Sequence, residues 1–114
     1  MSKVYIVQEV TRRDRATGEL RPVHDLRPAA VYGDLVPLLG TDRITLSPGP
    51  IVHELRKKLR GFSDDDVLLA VGDPIAIGIA TAIAAEENGG RVNMLKWDRE
   101  ARSYIKIGFE INNH

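Results

Sequence analysis

Asp64-Asp65-Asp66-Val67-Leu68-Leu69-Ala70-Val71-Gly72-Asp73-Pro74 leads directly into Ile75-Ala76-Ile77-Gly78-Ile79-Ala80-Thr81-Ala82-Ile83-Ala84-Ala85. An acidic flank, a short apolar run, a glycine turn and a proline before a long apolar stretch read as strand, turn and helix. Val67 to Val71 has the length of a strand buried on both faces. Asp73 is an N-cap and Pro74 stands at the first helical position, where its missing N–H costs nothing. Asn88-Gly89-Gly90 ends the helix. On it, Ile75, Ile79 and Ile83 form one ridge, while Gly78, Thr81, Ala82 and Ala85 form a small-residue surface for close packing.

Downstream, Arg91 to Trp97 and Tyr104 to Ile111 read as strands joined across 98–103. In the last strand Ile105, Ile107, Phe109 and Ile111 share one face. Upstream, Ile51, Val52, Leu55 and Leu59 fall within about 100° of one another on a helical wheel. Pro50 to Arg60 is therefore a helix with one apolar stripe, and Gly61 stops it. Val4 to Val10 is a mostly apolar strand covered on both faces. Arg12 to Glu19 is a turn, and Leu20 to Leu26 returns as a strand that Pro22 confines to an edge or a bulge. Asp25 to Gly33 holds a helix of one or two turns. Asp34 to Leu39 is a strand interrupted by Pro37, and Ile44 to Leu46 a short one before Ser47-Pro48-Gly49-Pro50.

The expected architecture is a mixed α/β fold: one compact domain over residues 1–114, with a β-α-β core extended by antiparallel strands or hairpins. Its parallel unit is expected to cross over right-handedly. The chain holds 16 basic and 16 acidic side chains, so any surface for a polyanion is a local patch. There is no cysteine, which excludes disulfides, thiolate catalysis and cysteine-ligated metals. The N-terminal stretch lacks the apolar core of a signal peptide. The apolar run from Ile75 to Ala85 is too short to span a bilayer. A cytoplasmic protein without membrane contact is expected.

No complete catalytic or cofactor motif is present. Gly72 and Asp73 stand where open α/β sheets bind ligands, at a helix start after a strand. A phosphate loop would need a longer glycine-rich turn with lysine and a hydroxyl, however, and a carboxylate weakens an anion site. Capping is the favoured role. Ser47 and Gly49 mark a second helix entrance, but two prolines there remove donors. Asp64 to Asp66 lack the spaced ligands of a calcium loop and read as a solvated flank. His24, His53 and His114 have no metal-ligand spacing, and no cofactor or metal is expected.

Positive charge gathers in two places: His53, Arg56, Lys57 and Arg60 opposite the apolar stripe of the first long helix, and Arg12, Arg13 and Arg15 in a turn. Brought together, the two would add phosphate contacts. Kept apart, they read as solvated faces. Trp97 and Tyr104 flank the last turn, placed either to stack on bases or to pack on each other across strands.

Val4-Tyr5-Ile6-Val7-Gln8-Glu9, Leu46-Ser47-Pro48-Gly49-Pro50, Ser63-Asp64-Asp65-Asp66, Val71-Gly72-Asp73-Pro74 and Leu95-Lys96-Trp97-Asp98 together resemble small proteins of tailed bacteriophages and prophages, over nearly the whole chain. The resemblance brings no catalytic residues with it. It implies a binder of host or phage components. With the basic outer face of the Pro50 to Arg60 helix and the lack of a catalytic set, the leading reading is a non-catalytic accessory protein that binds a macromolecule during infection, nucleic acid or its processing machinery slightly preferred. The alternatives are a small-ligand or nucleotide binder, an enzyme included, at Gly72 to Pro74, and a self-associating structural protein built on the small-residue helix.

Overall fold

The computed structural model describes residues 2–40 and 49–111. The expected strand 44–46, together with Ser47 and His114, lies outside them. Five strands form the main sheet: β1 (Lys3–Gln8), β4 (Asp34–Leu39), β5 (Val67–Leu69), β6 (Arg91–Asp98) and β7 (Ser103–Glu110), in the order β4-β1-β5-β6-β7. The first four are mutually parallel, and β7 returns antiparallel to β6. The fold is thus mixed α/β, as expected. Among the described residues, the short strands β2 (Thr11–Arg13) and β3 (Leu20–Pro22) pair only with each other.

The sheet is wound in two directions from β1. The chain first travels outward to β4, crossing one face through a 3-10 turn, Arg27–Tyr32. It then crosses back over the other face through helix α1 (Gly49–Lys58) to β5, and through helix α2 (Pro74–Glu87) to β6. Crossovers of one hand, run in opposite directions, must lie on opposite faces. Accordingly, Tyr5, Val7, Leu38 and Leu68 pack with Leu55, Leu59 and Phe62 of the α1 segment and Ala76, Ala80 and Ile83 of α2. Val4, Ile6, Val67, Leu69 and Leu95 pack on the other side with Leu26, Ala29 and Tyr104. The alternation within β1 supplies both layers, as a strand covered twice requires.

Local chemistry explains the boundaries. Pro37 is tolerated because β4 is an edge strand, where a missing donor breaks no inner ladder. Asp25 Oδ1 accepts the Arg27 N–H at 3.1 Å ahead of the 3-10 turn, and Gly33 closes it at φ +149°. A Cβ on Gly33 would lie 2.6 Å from the Ser2 carbonyl oxygen, so only glycine fits there.

Two expectations are corrected. Gly78 is exposed, and a Cβ added there meets nothing within 4 Å. The helix instead packs through Ala76, Ala80, Ile83 and Ala84, with Ile75 60% exposed. α2 is apolar around its whole circumference, so its pattern does not fix its rotation. The second correction is Asp66, which is buried rather than solvated. Its carboxylate accepts the Lys3 N–H at 3.1 Å and, from Ser63, the N–H at 2.9 Å and the hydroxyl at 3.1 Å. It fastens the start of β1 to the approach into β5. Asp64 and Asp65 are exposed, and Asp64 pairs with Arg91 at 3.0 Å.

Candidate functional site

The winding direction reverses between β1 and β5, and ligands of open α/β sheets bind beyond the carboxyl ends of such strands. Here that position is filled by Gln8. Its buried side chain donates from Nε2 to the Gly40 carbonyl at 3.1 Å and accepts the Asp73 N–H at Oε1, 3.0 Å away. Asp73 Oδ1 in turn accepts the Ile75 N–H at 2.8 Å. Gly72, at φ +116°, is required because a Cβ would sit 2.5 Å from the Gln8 Cβ. Two of the donors that an anion would use at this turn are therefore already engaged. Gly49, the other described residue proposed for a ligand, opens α1 and is exposed.

The positive residues divide more sharply. Arg56 is bound to Glu86 of α2 at 2.7 Å, which raises the guanidinium pKa and holds the Glu86 carboxyl below its ordinary value. Lys58 lies 3.2 Å from Glu54 and donates to the Leu38 carbonyl at 2.6 Å. His53, Lys57 and Arg60 are exposed and carry no ion pair among the described residues. Arg56 and Lys58 thus serve to hold α1 on α2 and β4.

Arg12 and Arg13 lie in strand β2 and not in the expected turn, whereas Arg15 stays in the bend of the β2–β3 hairpin. Asp14 builds its bend. Its carboxylate accepts the Ala16 N–H at 2.7 Å, and its carbonyl accepts the Gly18 N–H at 2.8 Å with Gly18 at φ +75°. The register sets Arg12 opposite Arg21, and Arg21 reaches Asp14 at 3.0 Å. The sequence reading overlooked Arg21, which the alternation about the turn puts on the Arg12 face. All four arginines are exposed. At the root of the hairpin a cleft of about 600 Å³ opens over Ile6, Leu26 and Leu35, rimmed by Glu9, His24 and Arg27.

The hairpin and α1 are not brought together. α1 joins two parallel strands, and its last turn lies against the end of α2, with Arg56 on Glu86, Gly61 just beyond on Glu87, and Lys58 reaching the Leu38 carbonyl of β4. The hairpin leaves from the carboxyl end of β1. Trp97 and Tyr104 pack on each other edge to face at 5.1 Å across β6 and β7. Among the described residues, no group of three or more His, Asp or Glu is placed to hold a metal ion, and no helix is long and apolar enough to cross a membrane.

No curated protein and no solved structure matches the chain. A family model described as phage Pam3 gp32-like protein matches residues 2–111, and the chain belongs to that phage protein family.

Proposed function

We propose that this phage protein is a non-catalytic accessory protein that binds a macromolecular partner in the infected cell's cytoplasm, with nucleic acid the preferred partner and the arginine hairpin the contact. The observation that carries the reading is the ribbon of Arg12, Arg13, Arg15 and Arg21, exposed and paired only with itself beside the main sheet. A two-stranded ribbon fits the major groove of B-form DNA, and arginines are suited to phosphate oxygens. The neutral net charge argues for such a local contact rather than a diffuse one. Lys57 and Arg60 lie in the α1 segment, outside the hairpin, and would serve a second contact at most.

The test is fluorescence anisotropy with labelled duplex and single-stranded DNA over a range of salt. Binding that weakens with salt and is lost in Arg12→Glu/Arg13→Glu supports the reading. Absence of binding at low salt, or binding indifferent to the double reversal, overturns it.

The cleft at the hairpin root favours a second reading, a small-ligand binder. Its apolar floor and polar rim have the composition of a ligand pocket, whereas the donors at the Gly72 turn are largely taken. A thermal shift on adding a nucleotide, abolished by Leu35→Trp, would move the function to that cleft.

A further inference from the structure

β7 is an edge strand whose guards are side-chain charges, Lys106 and Glu110, and not a backbone interruption. The opposite edge, β4, carries Pro37, whereas β7 has neither proline nor bulge, and its register with β6 runs unbroken from Arg91↔Glu110 to Asp98↔Ser103. Beyond the reach of α2 its helix-side face shows Ile107 at 45%, Phe109 at 39% and Ile111 at 62% exposure. Ile107 and Phe109 also line a small apolar groove with Ala70 and Met94.

The ladder fixes which backbone groups are free. The Ile111 N–H donates to the Gly90 carbonyl at 3.0 Å, and Leu95 turns its carbonyl toward β5, where it accepts the Ala70 N–H at 3.1 Å. Both place Ile105, Ile107 and Phe109 in hydrogen-bonded pairs with β6. Lys106, Gly108 and Glu110 therefore direct their N–H and C=O groups outward. The edge stops at Tyr104, whose carbonyl accepts the Tyr32 hydroxyl at 2.8 Å.

We propose that β7 pairs antiparallel with β7 of a second copy about a two-fold axis at Gly108, making one sheet continuous across the dimer. This axis sets Gly108 beside its own copy, and Lys106 and Glu110 opposite Glu110 and Lys106 of the second chain. All three are the outward-facing residues. On the other side it sets Ile107 opposite Phe109 and Ile105 opposite Ile111. Axes on Lys106 or Glu110 set like charges together. Axes on Ile107 or Phe109 lose both ion pairs, and the first also needs the Tyr104 carbonyl that Tyr32 already occupies. Charge complementarity and hydrogen-bond phase thus select one register, and its two-fold closes the assembly at a dimer. The inference is independent of the nucleic-acid reading.

Sedimentation of the wild type over a wide concentration range, with Lys106→Glu, Glu110→Lys and the double exchange, tests it. Each single reversal turns two attractive cross-strand pairs into repulsive ones and is expected to weaken dimerisation about tenfold or more. The double exchange is expected to restore it. Amide exchange on the wild type adds a measure that needs no variant: Lys106, Gly108 and Glu110 N–H groups are expected to gain protection as concentration rises. A monomer at every concentration, a dimer indifferent to the single reversals, or unprotected Gly108 in a dimer overturns the proposal.

Discussion

Gln8 Oε1 accepts the backbone N–H of Asp73 at 3.0 Å, so a side chain from the end of β1 completes the turn that starts α2. With the Nε2 bond to Gly40, one buried amide links the end of β1 to the segments that follow β4 and β5. Gln8→Leu preserves bulk but leaves both backbone groups without this partner. It is expected to cost about 2 to 4 kcal/mol, an unsatisfied buried group costing about 1 to 3 kcal/mol each and water recovering part. Gln8→Glu keeps the acceptor and loses the donor to Gly40, and should also destabilise. Urea denaturation of the three proteins measures both.

Asp73 acts on the same turn through its own carboxylate. Asn and Ser can accept the Ile75 N–H equally well, so Asp73→Asn and Asp73→Ser are expected to be nearly silent. Asp73→Ala should lose about 0.5 to 2 kcal/mol. Thermal melts read these directly. A stable Asp73→Asn protein that had lost a wild-type ligand would make the carboxylate a binding group instead.

Gly78 is exposed within a helix and has no neighbour for an added methyl group. Gly78→Ala is therefore expected to stabilise by about 0.5 to 1 kcal/mol, by removing backbone freedom from the unfolded chain. A drop in the denaturation midpoint would show that this face is covered in solution.

That position also marks how far the sequence can be read. Strands and helices were legible from period and punctuation: Asp73-Pro74, Gly61 and the alternation in β7 each act over a few residues. The hairpin return after Gly18 was legible too, whereas Pro37, read as an interruption, lies inside a continuous strand because β4 is an edge. The rotation of α2 was not, because a helix of Ala and Ile all round carries no polar side to orient it. Nor was the burial of Asp66, whose partner Lys3 lies 63 residues away in sequence. The separation of the α1 cations from the hairpin arginines follows from strand order, and strand order is decided by long-range packing that no local pattern records. At the candidate site the residue types were visible, whereas the filling of the β1/β5 end by Gln8 was not.

Tyr104 and Tyr5 give the fold an alkaline limit. Burial, with a smaller push from Asp25 in one case and Asp66 in the other, raises both phenol pKa values above the ordinary one. The folded state therefore keeps its phenol protons to higher pH than the unfolded chain does. This contribution is whole below about pH 10 and is lost as pH rises through the raised folded values. Tyr104→Phe removes one of these groups, together with the bond its hydroxyl donates to the Asp25 carbonyl at 3.1 Å. It should cost about 0.5 to 1.5 kcal/mol at neutral pH and flatten the decline above about pH 10. Urea midpoints across that range check the slope.

The hairpin arginines are separable from folding, which makes the functional test clean. Among the described residues β2 and β3 pair only with each other, and the surface ion pairs of Arg21 with half-buried Asp14 and exposed Glu19, like the exposed bond from Arg13 to the Gly18 carbonyl, contribute little to stability. Arg12→Glu/Arg13→Glu is therefore expected to leave the thermal midpoint nearly unchanged while DNA binding falls. If the four arginines make about three phosphate contacts, the wild-type log–log salt slope should be about −3, and the double variant should lose about 2 of it. Lys57→Glu/Arg60→Glu, in the α1 segment outside the hairpin, is the matched control and should change the slope little. If the control abolishes binding and the hairpin variant does not, the contact surface is α1 instead.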